Sequence, residues 1–305
     1  METPNRTKGF VNAIISACTF ALIPLFSVPI MKDGMETPSV LIYRFLFGSL
    51  FILAGMMYMR IGLRITLGEL WRLTILALLN DITALTQFYG FMYMDSGAAV
   101  TIFSVYPVFT CLIMVLFFHE KLTLRTSIAI VLAVVGVAGV SGINLSGPAD
   151  GNLVMGVSLA LIAGLSYAIY MVLVPMLKVG HMDSLKLTFY VFVLGMGFLL
   201  IYTPFFTSQG IEMIDSWNVG GTLLLLGLVP TAISNFTLIV GLKNIGSTLT
   251  SILGDLEPPV AMAMGVIALG ESITWMRVGG LVLILLAVTI IILKKEDKNV
   301  EPCKA

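Results

Sequence analysis

Two carboxylates and two prolines stand close together inside a long apolar stretch of the sequence: Asp255, Glu257, Pro258 and Pro259. In a membrane span, a central charge costs roughly 3 kcal/mol or more, and a proline removes the N–H that would bond the carbonyl four residues earlier. Non-helical backbone is tolerated at that depth only where protein buries it or where it lines a cavity. We therefore expect an interrupted helix with both acids binding a substrate or a proton; the alternative is a carboxyl neutralised by an arginine and used only in packing.

The composition indicates a membrane protein. Of the 305 residues, 58% are hydrophobic and 11% are charged, whereas soluble domains carry about 25% charged residues. A bilayer is spanned by about 20 apolar residues, and the intervening loops are too short for a soluble catalytic domain. The sequence predicts an all-α integral membrane protein with ten transmembrane helices at 9–30, 38–59, 73–94, 96–118, 126–142, 153–177, 187–206, 219–242, 247–269 and 278–293.

The positive charges between these spans predict the orientation. With a cytoplasmic N-terminus, fourteen of the 17 Lys and Arg residues lie on the inner side and only Lys32 and Arg277 on the outer side. Cytoplasmic loops carry such an excess of positive charge. We predict a protein of the plasma membrane (the inner membrane in bacteria) with both termini cytoplasmic and a disordered polar tail at 294–305.

The chain repeats itself at a constant distance. An offset of 151 residues relates Pro107 to Pro258, Glu120 to Glu271, and Thr123 to Thr274. We call two residues with this offset mates. The offset predicts two five-helix repeats, 1–146 and 147–293. Because five is odd, the second repeat enters the membrane from the opposite side, an inverted topology that is common in secondary transporters.

The repeated motifs also predict local roles. Pro107 should kink the fourth span, as Pro258 and Pro259 should kink the ninth. Glu120 and Glu271 each end a span and precede a threonine that can cap the next helix, so we interpret both as structural.

Four motifs carry a resemblance to a known family: Tyr-Pro-Val at 106–108, His-Glu-Lys-Leu-Thr at 119–123, Leu-Glu-Pro at 256–258 and Gly-Glu-Ser-Ile-Thr at 270–274. Over essentially its whole length the chain resembles the EamA-type members of the drug/metabolite transporter superfamily, in which an arginine matching Arg44 recurs. The resemblance implies a cavity lined mainly by spans one to four and six to nine, and export or exchange of small metabolites, often amino acids. Asp255 departs from the family, whose members usually have a small or neutral residue near that position.

Arg44 and Asp81 are the other ionisable residues inside spans. Arg44 lies about 9 Å below one face of the bilayer, where it could bind a substrate carboxylate, pair with Glu257 or Asp81, or extend to the interface. Asn80 and Asp81 lie about 12 Å from the opposite face, a depth similar to that of Asp255. They are candidates for a site between the repeats, and interhelical hydrogen bonding is the alternative.

Uncharged residues complete the predicted site. Tyr106 is the mate of Glu257 and could line the cavity opposite it, although a packing kink explains it equally well. Gln87 and Asn235 are polar candidates within spans. Tyr167 could supply aromatic cavity wall, but such residues more often pack in the core or against lipid.

These observations favour a secondary transporter that exports or exchanges small polar or amphipathic, amino-acid-like metabolites by alternating access. Proton coupling through Glu257 and Asp255 is left open, as is a homodimer. Alternatives are a facilitator or exchanger of organic anions anchored by Arg44, and a non-transporting membrane scaffold. The sequence contains no recognisable phosphate loop, serine triad or metal-ligand spacing. We expect no enzyme activity, metal, cofactor or nucleic-acid partner. The expected partners are the substrate and the lipid bilayer, in addition to the protons and the second copy left open above.

Overall fold

The structure, a computed structural model, describes residues 6–119, 123–141, 151–177, 179, 182–207 and 210–299, and the regular structure in these ranges is helical. A π-helical turn, Leu228–Ile233, joins α10 to α11. The helices are α1 (Arg6–Phe20), α2 (Ile23–Lys32), α3 (Thr37–Tyr58), α4 (Leu67–Tyr93), α5 (Ser96–Phe103), α6 (Tyr106–Phe118), α7 (Leu124–Ser141), α8 (Gly151–Met176), α9 (Ser184–Phe206), α10 (Trp217–Gly227), α11 (Ser234–Gly254), α12 (Glu257–Leu269) and α13 (Trp275–Asn299).

The described helices include nine stretches that are long and apolar enough to cross a membrane, together with the shorter apolar helix α12. The end of α11 and α12 together cover the ninth predicted span, so the all-α fold class is confirmed. Several boundaries differ from our expectation. The first predicted span is divided into α1 and α2, and α4 begins at Leu67, six residues before the predicted start. α11 is helical through 243–246, where we placed a loop; the single glycine there, Gly246, costs a helix only about 1 kcal/mol. α13 continues to Asn299, into the predicted polar tail.

The helix pairs follow a pseudo-twofold arrangement. α1 packs on α11, and their mates, α8 and α4, pack on each other. α3 packs on its own mate α9, and α7 packs on its own mate α13. A twofold axis between two equivalent five-helix units produces this set of pairs, because the axis exchanges the two members of each equivalent contact.

The centre of the bundle is held by aromatic packing between α3 and α9. Phe45 and Phe192 are buried, and their rings stack with centroids 4.9 Å apart. Burial of an aromatic side chain is among the largest single contributions to a core. This contact therefore joins the first repeat to the second beside the polar groups described below.

Two helix breaks lie at equivalent places in the repeats. α5 ends three residues before Tyr106, and α11 ends three residues before its mate Glu257. Each new helix has proline at its second residue, where the missing N–H would have no helical acceptor. Leu256 in the second break keeps right-handed dihedrals, φ −72° and ψ −17°. We expected Asp255 and Glu257 on unwound backbone, but Asp255 lies in this short turn and Glu257 is the first residue of α12.

Candidate functional site

Five of the predicted site residues form one group between the repeats, which we call the central cluster: Arg44, Tyr106, Tyr167, Asp255 and Glu257. Glu257 interacts electrostatically with Arg44 and Asp255. Tyr106 and Tyr167 lie near the charge of Glu257, and their rings are in contact with each other. The residues of the cluster come from α3 and α6 of the first repeat and from α8, α12 and the turn before α12 of the second. The positive charge of Arg44 in the first repeat therefore faces the acids of the second.

Glu257 offers a carboxylate with unused bonding capacity. Its side chain is half-buried. Within the described ranges, it interacts with Arg44 and Asp255 only through space, without a hydrogen bond or direct ion pair. A carboxylate accepts several hydrogen bonds, so Glu257 can bind a ligand without first releasing a protein partner.

Asp255 lies at the edge of the cluster, beside the last helix. Its Oδ2 is 3.5 Å from the hydroxyl of Thr289 in α13. That hydroxyl also lies 2.8 Å from the carbonyl of Leu285. A hydroxyl has one proton to donate, and the shorter contact takes it, so Asp255 is only weakly held. The resemblance implies a cavity lined mainly by spans one to four and six to nine, yet α13, the tenth span, contacts an acid of the cluster.

Arg44 is buried and faces inward. Its Nε donates to Thr231 Oγ1 at 3.3 Å, and its guanidinium carbon lies 5.4 Å from the centroid of the Phe88 ring. A cation over an aromatic face is stabilised by the ring quadrupole. Of its two predicted acidic partners, Arg44 interacts electrostatically with Glu257 and not with Asp81.

Thr231, which holds Arg44, was not among our predicted site residues. Its role depends on the proline that precedes it, Pro230. Pro230 has no N–H to donate to the carbonyl of Leu226, four residues earlier. The hydroxyl of Thr231 donates to this carbonyl instead, at 3.0 Å, in a π-helical turn of the kind often found at functional sites. The same hydroxyl oxygen accepts the bond from Arg44. A proline inside the eighth predicted span was the signal that could have identified this position.

Replacing Thr231 with valine is expected to lower the melting temperature of the purified protein. Valine keeps the shape but leaves the Leu226 carbonyl and the Arg44 Nε without partners, a loss of about 1–3 kcal/mol. Thr231→Ser is the matched control, because it keeps the hydroxyl and removes one methyl group, worth about 0.8 kcal/mol. Equal melting temperatures for the two variants would contradict a role for the hydroxyl.

Aromatic rings form one wall of the central cluster. Tyr106 and Tyr167 meet edge to face with centroids 4.9 Å apart, and Tyr167 stacks on Tyr170 at 5.8 Å. Gly164 allows this approach, since a Cβ built there would lie 3.1 Å from the carbonyl oxygen of Phe103. That carbonyl lacks its helical donor because Pro107 follows four residues later. Because Gly164 has no side chain, α8 packs closely against the break between α5 and α6, and this close packing brings Tyr106 and Tyr167 into contact.

The remaining predicted residues lie outside this group, and their roles stay predictions. The Asn235 side chain donates to the backbone carbonyl of Thr231 at 2.6 Å and so supports the turn that holds Arg44. Gln87 is buried and Asn80 half-buried in α4. Asp81 is buried against α9 and has no electrostatic contact with the central cluster.

One end of the bundle is closed by polar contacts between the repeats. The Glu271 carboxylate accepts from the backbone N–H groups of Ser96 at 2.7 Å and Gly97 at 3.1 Å, and Arg277 forms an ion pair with Asp95. We interpreted Glu271 as a structural residue beside a threonine cap, and in the structure its carboxylate caps α5 of the other repeat. Glu120, its mate, lies outside the described residues.

Two cavities lie at opposite ends of the bundle, with volumes of about 770 Å³ and about 510 Å³. Neither is lined by a residue of the central cluster. The two cavities are equivalent in the two repeats. Residues 61–64 line the first cavity, and the mates of 61, 62 and 64, which are Glu212, Met213 and Asp215, line the second. The charged lining residues are Arg64, Glu69, Asp183 and Lys186 in the first and Asp33, Glu212 and Asp215 in the second.

The described residues contain no group of three or more His, Cys, Asp or Glu side chains that could hold a metal ion. The side chains of the central cluster can recognise a ligand by charge, hydrogen bonds and aromatic surface. Its two acids suit an ammonium group or a proton, its guanidinium suits a carboxylate, and its tyrosines suit an apolar or cationic group.

Comparison with known proteins finds relatives along the whole chain. The model of the EamA-like transporter family matches residues 7–142 and again residues 154–293, in agreement with two repeats. An uncharacterized transporter of Archaeoglobus fulgidus is 28% identical over 284 residues, covering 92% of this chain and 95% of the relative. An uncharacterized transporter of Haemophilus influenzae is 31% identical over 140 residues, or 43% of this chain and 47% of the relative. A solved crystal structure aligns over 98% of this chain and 100% of that chain with a TM-score of 0.65 and 14% identity, a likeness of fold.

Proposed function

The chain belongs to the EamA-like transporter family, and from this premise we propose that it exports or exchanges small amino-acid-like metabolites by alternating access, with the central cluster as the binding site. The observation that carries the proposal is the position of Glu257. It begins a helix at a break between the repeats, faces one cation and one further acid, and adjoins an aromatic wall. Interrupted helices at a repeat interface are where secondary transporters bind substrate.

The charges of the central cluster complement a zwitterion. Glu257 and Asp255 provide acceptors for a substrate ammonium group, and Arg44 provides a donor for its carboxylate. Tyr106 and Tyr167 provide a surface for the part of the substrate between or beyond these groups. The proposed ligand is thus a compact molecule with both charges, or an amine of similar size.

The position of the central cluster between the repeats supports alternating access. Arg44 and Tyr106 belong to the first repeat, and Tyr167, Asp255 and Glu257 belong to the second. A rocking motion between the repeats therefore changes which end of the bundle the cluster opens to, while its members stay near the axis. The contacts of Glu271 with α5 hold one end closed in the present arrangement.

Proton coupling is the finer part of the proposal. The cluster has two acids and one guanidinium, so a bound cation reduces the repulsion between Asp255 and Glu257. A proton and a substrate ammonium compete for the same carboxylate oxygens. A carrier in which each displaces the other exchanges protons for substrate.

We propose that the protein lies in the plasma membrane (the inner membrane in bacteria) with both termini in the cytoplasm. The charges that line the two end cavities support this orientation. The larger end cavity carries two bases, Arg64 and Lys186, beside two acids, Glu69 and Asp183, and would face the cytoplasm. The smaller carries acids and would face the outside. Positive residues accumulate on the cytoplasmic side of membrane proteins.

The second candidate function is transport of organic anions anchored by Arg44. It is favoured by one observation: within the described ranges, the guanidinium is hydrogen-bonded to a hydroxyl rather than to an acid. Against it, the two acids outnumber Arg44, so a bare anion would meet net repulsion in the cluster.

The proposed function is tested by measuring the melting temperature of the purified protein with a panel of compounds that share one apolar group. We expect the amino acid of a set to raise it most, the amine less and the carboxylic acid least. A ligand at one hundred times its Kd stabilises the folded state by about 2.7 kcal/mol. Stabilisation by the carboxylic acids alone would overturn the zwitterion proposal in favour of the anion carrier.

A further inference from the structure

Asp81 is a buried carboxylate without a partner. It lies in the middle of α4 and is 4% exposed, and neither of its oxygens has a hydrogen-bond partner in the described structure. An ionised carboxylate that is buried without a partner is strongly destabilising. Buried polar groups are otherwise almost always bonded, so this side chain requires a ligand or a change of charge.

The carboxylate lies directly on the backbone of α9. A Cβ built on Gly195 would collide with Oδ1 of Asp81 and would also lie 3.3 Å from Oδ2. α4 belongs to the first repeat and α9 to the second, so Asp81 is at a contact between the two halves. We call this contact, from Asp81 to Gly195, the α4–α9 seam.

No described charge compensates Asp81 electrostatically. The helices packed against α4 are α2, α3, α5, α8 and α9, and α5 has no titratable residue. Those on the others have different contacts or lie toward the helix ends. They are Lys32 at the end of α2, Tyr43 bonded to the Glu212 carbonyl, Arg44 bonded to Thr231, Tyr58 at the end of α3, Tyr167 stacked on Tyr170, Lys186 bonded to the Arg64 carbonyl, Tyr190 bonded to the Leu63 carbonyl, and Tyr202 stacked on Phe206.

The equivalent seam in the other repeat has the opposite charge. The mate of Asp81 is Ala232, and the mate of Gly195 is Arg44. There Arg44 faces the π-helical turn and donates to Thr231, the neighbour of Ala232. Each seam therefore places one ionisable side chain against a small or uncharged residue. Arg44 has a hydrogen-bond partner at its seam, whereas Asp81 has none in the described structure.

A proton is the ligand that fits this place. A metal cation requires several oxygen ligands arranged around it, but the seam offers the two oxygens of one carboxylate. It also lacks space, because even a Cβ on Gly195 would overlap the acid. A proton needs neither additional ligands nor additional volume.

We propose that Asp81 is a proton-binding site in the α4–α9 seam, separate from the central cluster, and that its proton keeps the two repeats in contact there. Loss of the proton leaves a charge facing the α9 backbone. The charge is relieved when α4 and α9 separate and water enters the seam. Protonation of Asp81 thus favours the arrangement seen here, whatever the central cluster binds.

The proposal is tested by labelling the reconstituted protein with dicyclohexylcarbodiimide. The protonated carboxyl adds its O–H across one C=N bond of the reagent, and the O-acylisourea rearranges to a stable N-acylurea that adds one reagent mass to the peptide. We expect the adduct on the peptide containing Asp81. Its yield should fall with rising pH, on the order of tenfold per unit once the proton is lost. A yield that does not fall with rising pH overturns the proposal. Where the reagent cannot enter the closed seam and no adduct forms, the melting temperature decides: a pH dependence that is the same in the wild-type protein and in Asp81→Asn overturns it.

Two variants make the assignment specific. Asp81→Asn should remove the adduct from this peptide and flatten the dependence of the melting temperature on pH. A melting temperature that keeps the wild-type pH dependence would contradict the seam role. Glu257→Gln should keep the adduct on Asp81, so failure of the central cluster as a substrate site and failure of the seam as a proton site give different results. If Asp81→Asn does not fold, the labelling of the wild-type protein still decides.

Discussion

Replacing Glu257 with glutamine is expected to abolish transport while the protein remains folded. Glutamine keeps the volume of the side chain and removes the charge that would hold a substrate ammonium group or proton. A hydrogen bond to a charged group contributes about 1.5–3 kcal/mol, so we expect substrate affinity to fall by roughly 10- to 150-fold, with transport at low substrate falling at least as much. Folding should be affected little, because Glu257 has no hydrogen-bond partner in the described ranges. Counterflow in proteoliposomes measures transport, and the elution profile and melting temperature measure folding.

Asp255→Asn is the comparison variant for this experiment. Asp255 is weakly held by Thr289 and lies at the edge of the cluster, so its loss should reduce transport less than the loss of Glu257. If the two acids bind one proton as a coupled pair, each variant should change the pH dependence of transport. Loss of the folded protein in Glu257→Gln would assign the carboxylate a structural role. Continued transport with wild-type pH dependence would contradict its role in proton coupling.

Replacing Arg44 with glutamine is expected to change which charge the protein prefers in its substrate. The loss of the guanidinium removes the donor proposed for a carboxylate and leaves the two acids less compensated. We expect binding of an amino acid to weaken by roughly 10- to 100-fold, the equivalent of losing one charge-assisted bond, while the matched amine binds as well as before or better. Melting temperature against concentration for the matched set of amine, amino acid and carboxylic acid measures this preference.

Arg44→Lys separates charge from geometry. Lysine keeps the positive charge but has no planar guanidinium to lie over Phe88 and no Nε for Thr231. Partial recovery of amino-acid binding in this variant would support Arg44 as a substrate anchor. An equal loss for amine, amino acid and carboxylic acid in Arg44→Gln would instead indicate that Arg44 only holds the π-helical turn in place.

The architecture could be predicted from the sequence because local sequence features, the apolar runs and the prolines, determine where the helices begin and end. The apolar runs determine the helices, since a chain in lipid must satisfy its backbone bonds internally. The offset that relates Pro107 to Pro258 also relates the helix ends, so α6 and α12 have equivalent first and last residues. The central position of Glu257 followed from the same signal, because a proline marks where a helix is interrupted.

The partners of individual side chains were less accessible. A helix that is apolar on all sides has no polar face to show which way it turns, so the sequence did not indicate that Asp81 faces Gly195. The bond from Arg44 to Thr231 depends on a π-helical turn, whose existence rests on one proline and one hydroxyl. The contact of Glu271 with α5 joins residues that are distant along the chain and requires knowledge of how the repeats pack.

The ionisable residues within the spans have mates of different charge, and this difference affects the relative free energies of the two conformations of the proposed carrier. Two identical inverted halves would make the inward-facing and outward-facing conformations degenerate, because the twofold axis converts one into the other. Here no such ionisable residue has an equally charged mate, so for the alternating-access carrier proposed above we expect the degeneracy to be lifted and the empty carrier to favour one side of the membrane. The pairs that carry this bias are Arg44 with Gly195, Asp81 with Ala232, Ser104 with Asp255, and Tyr106 with Glu257.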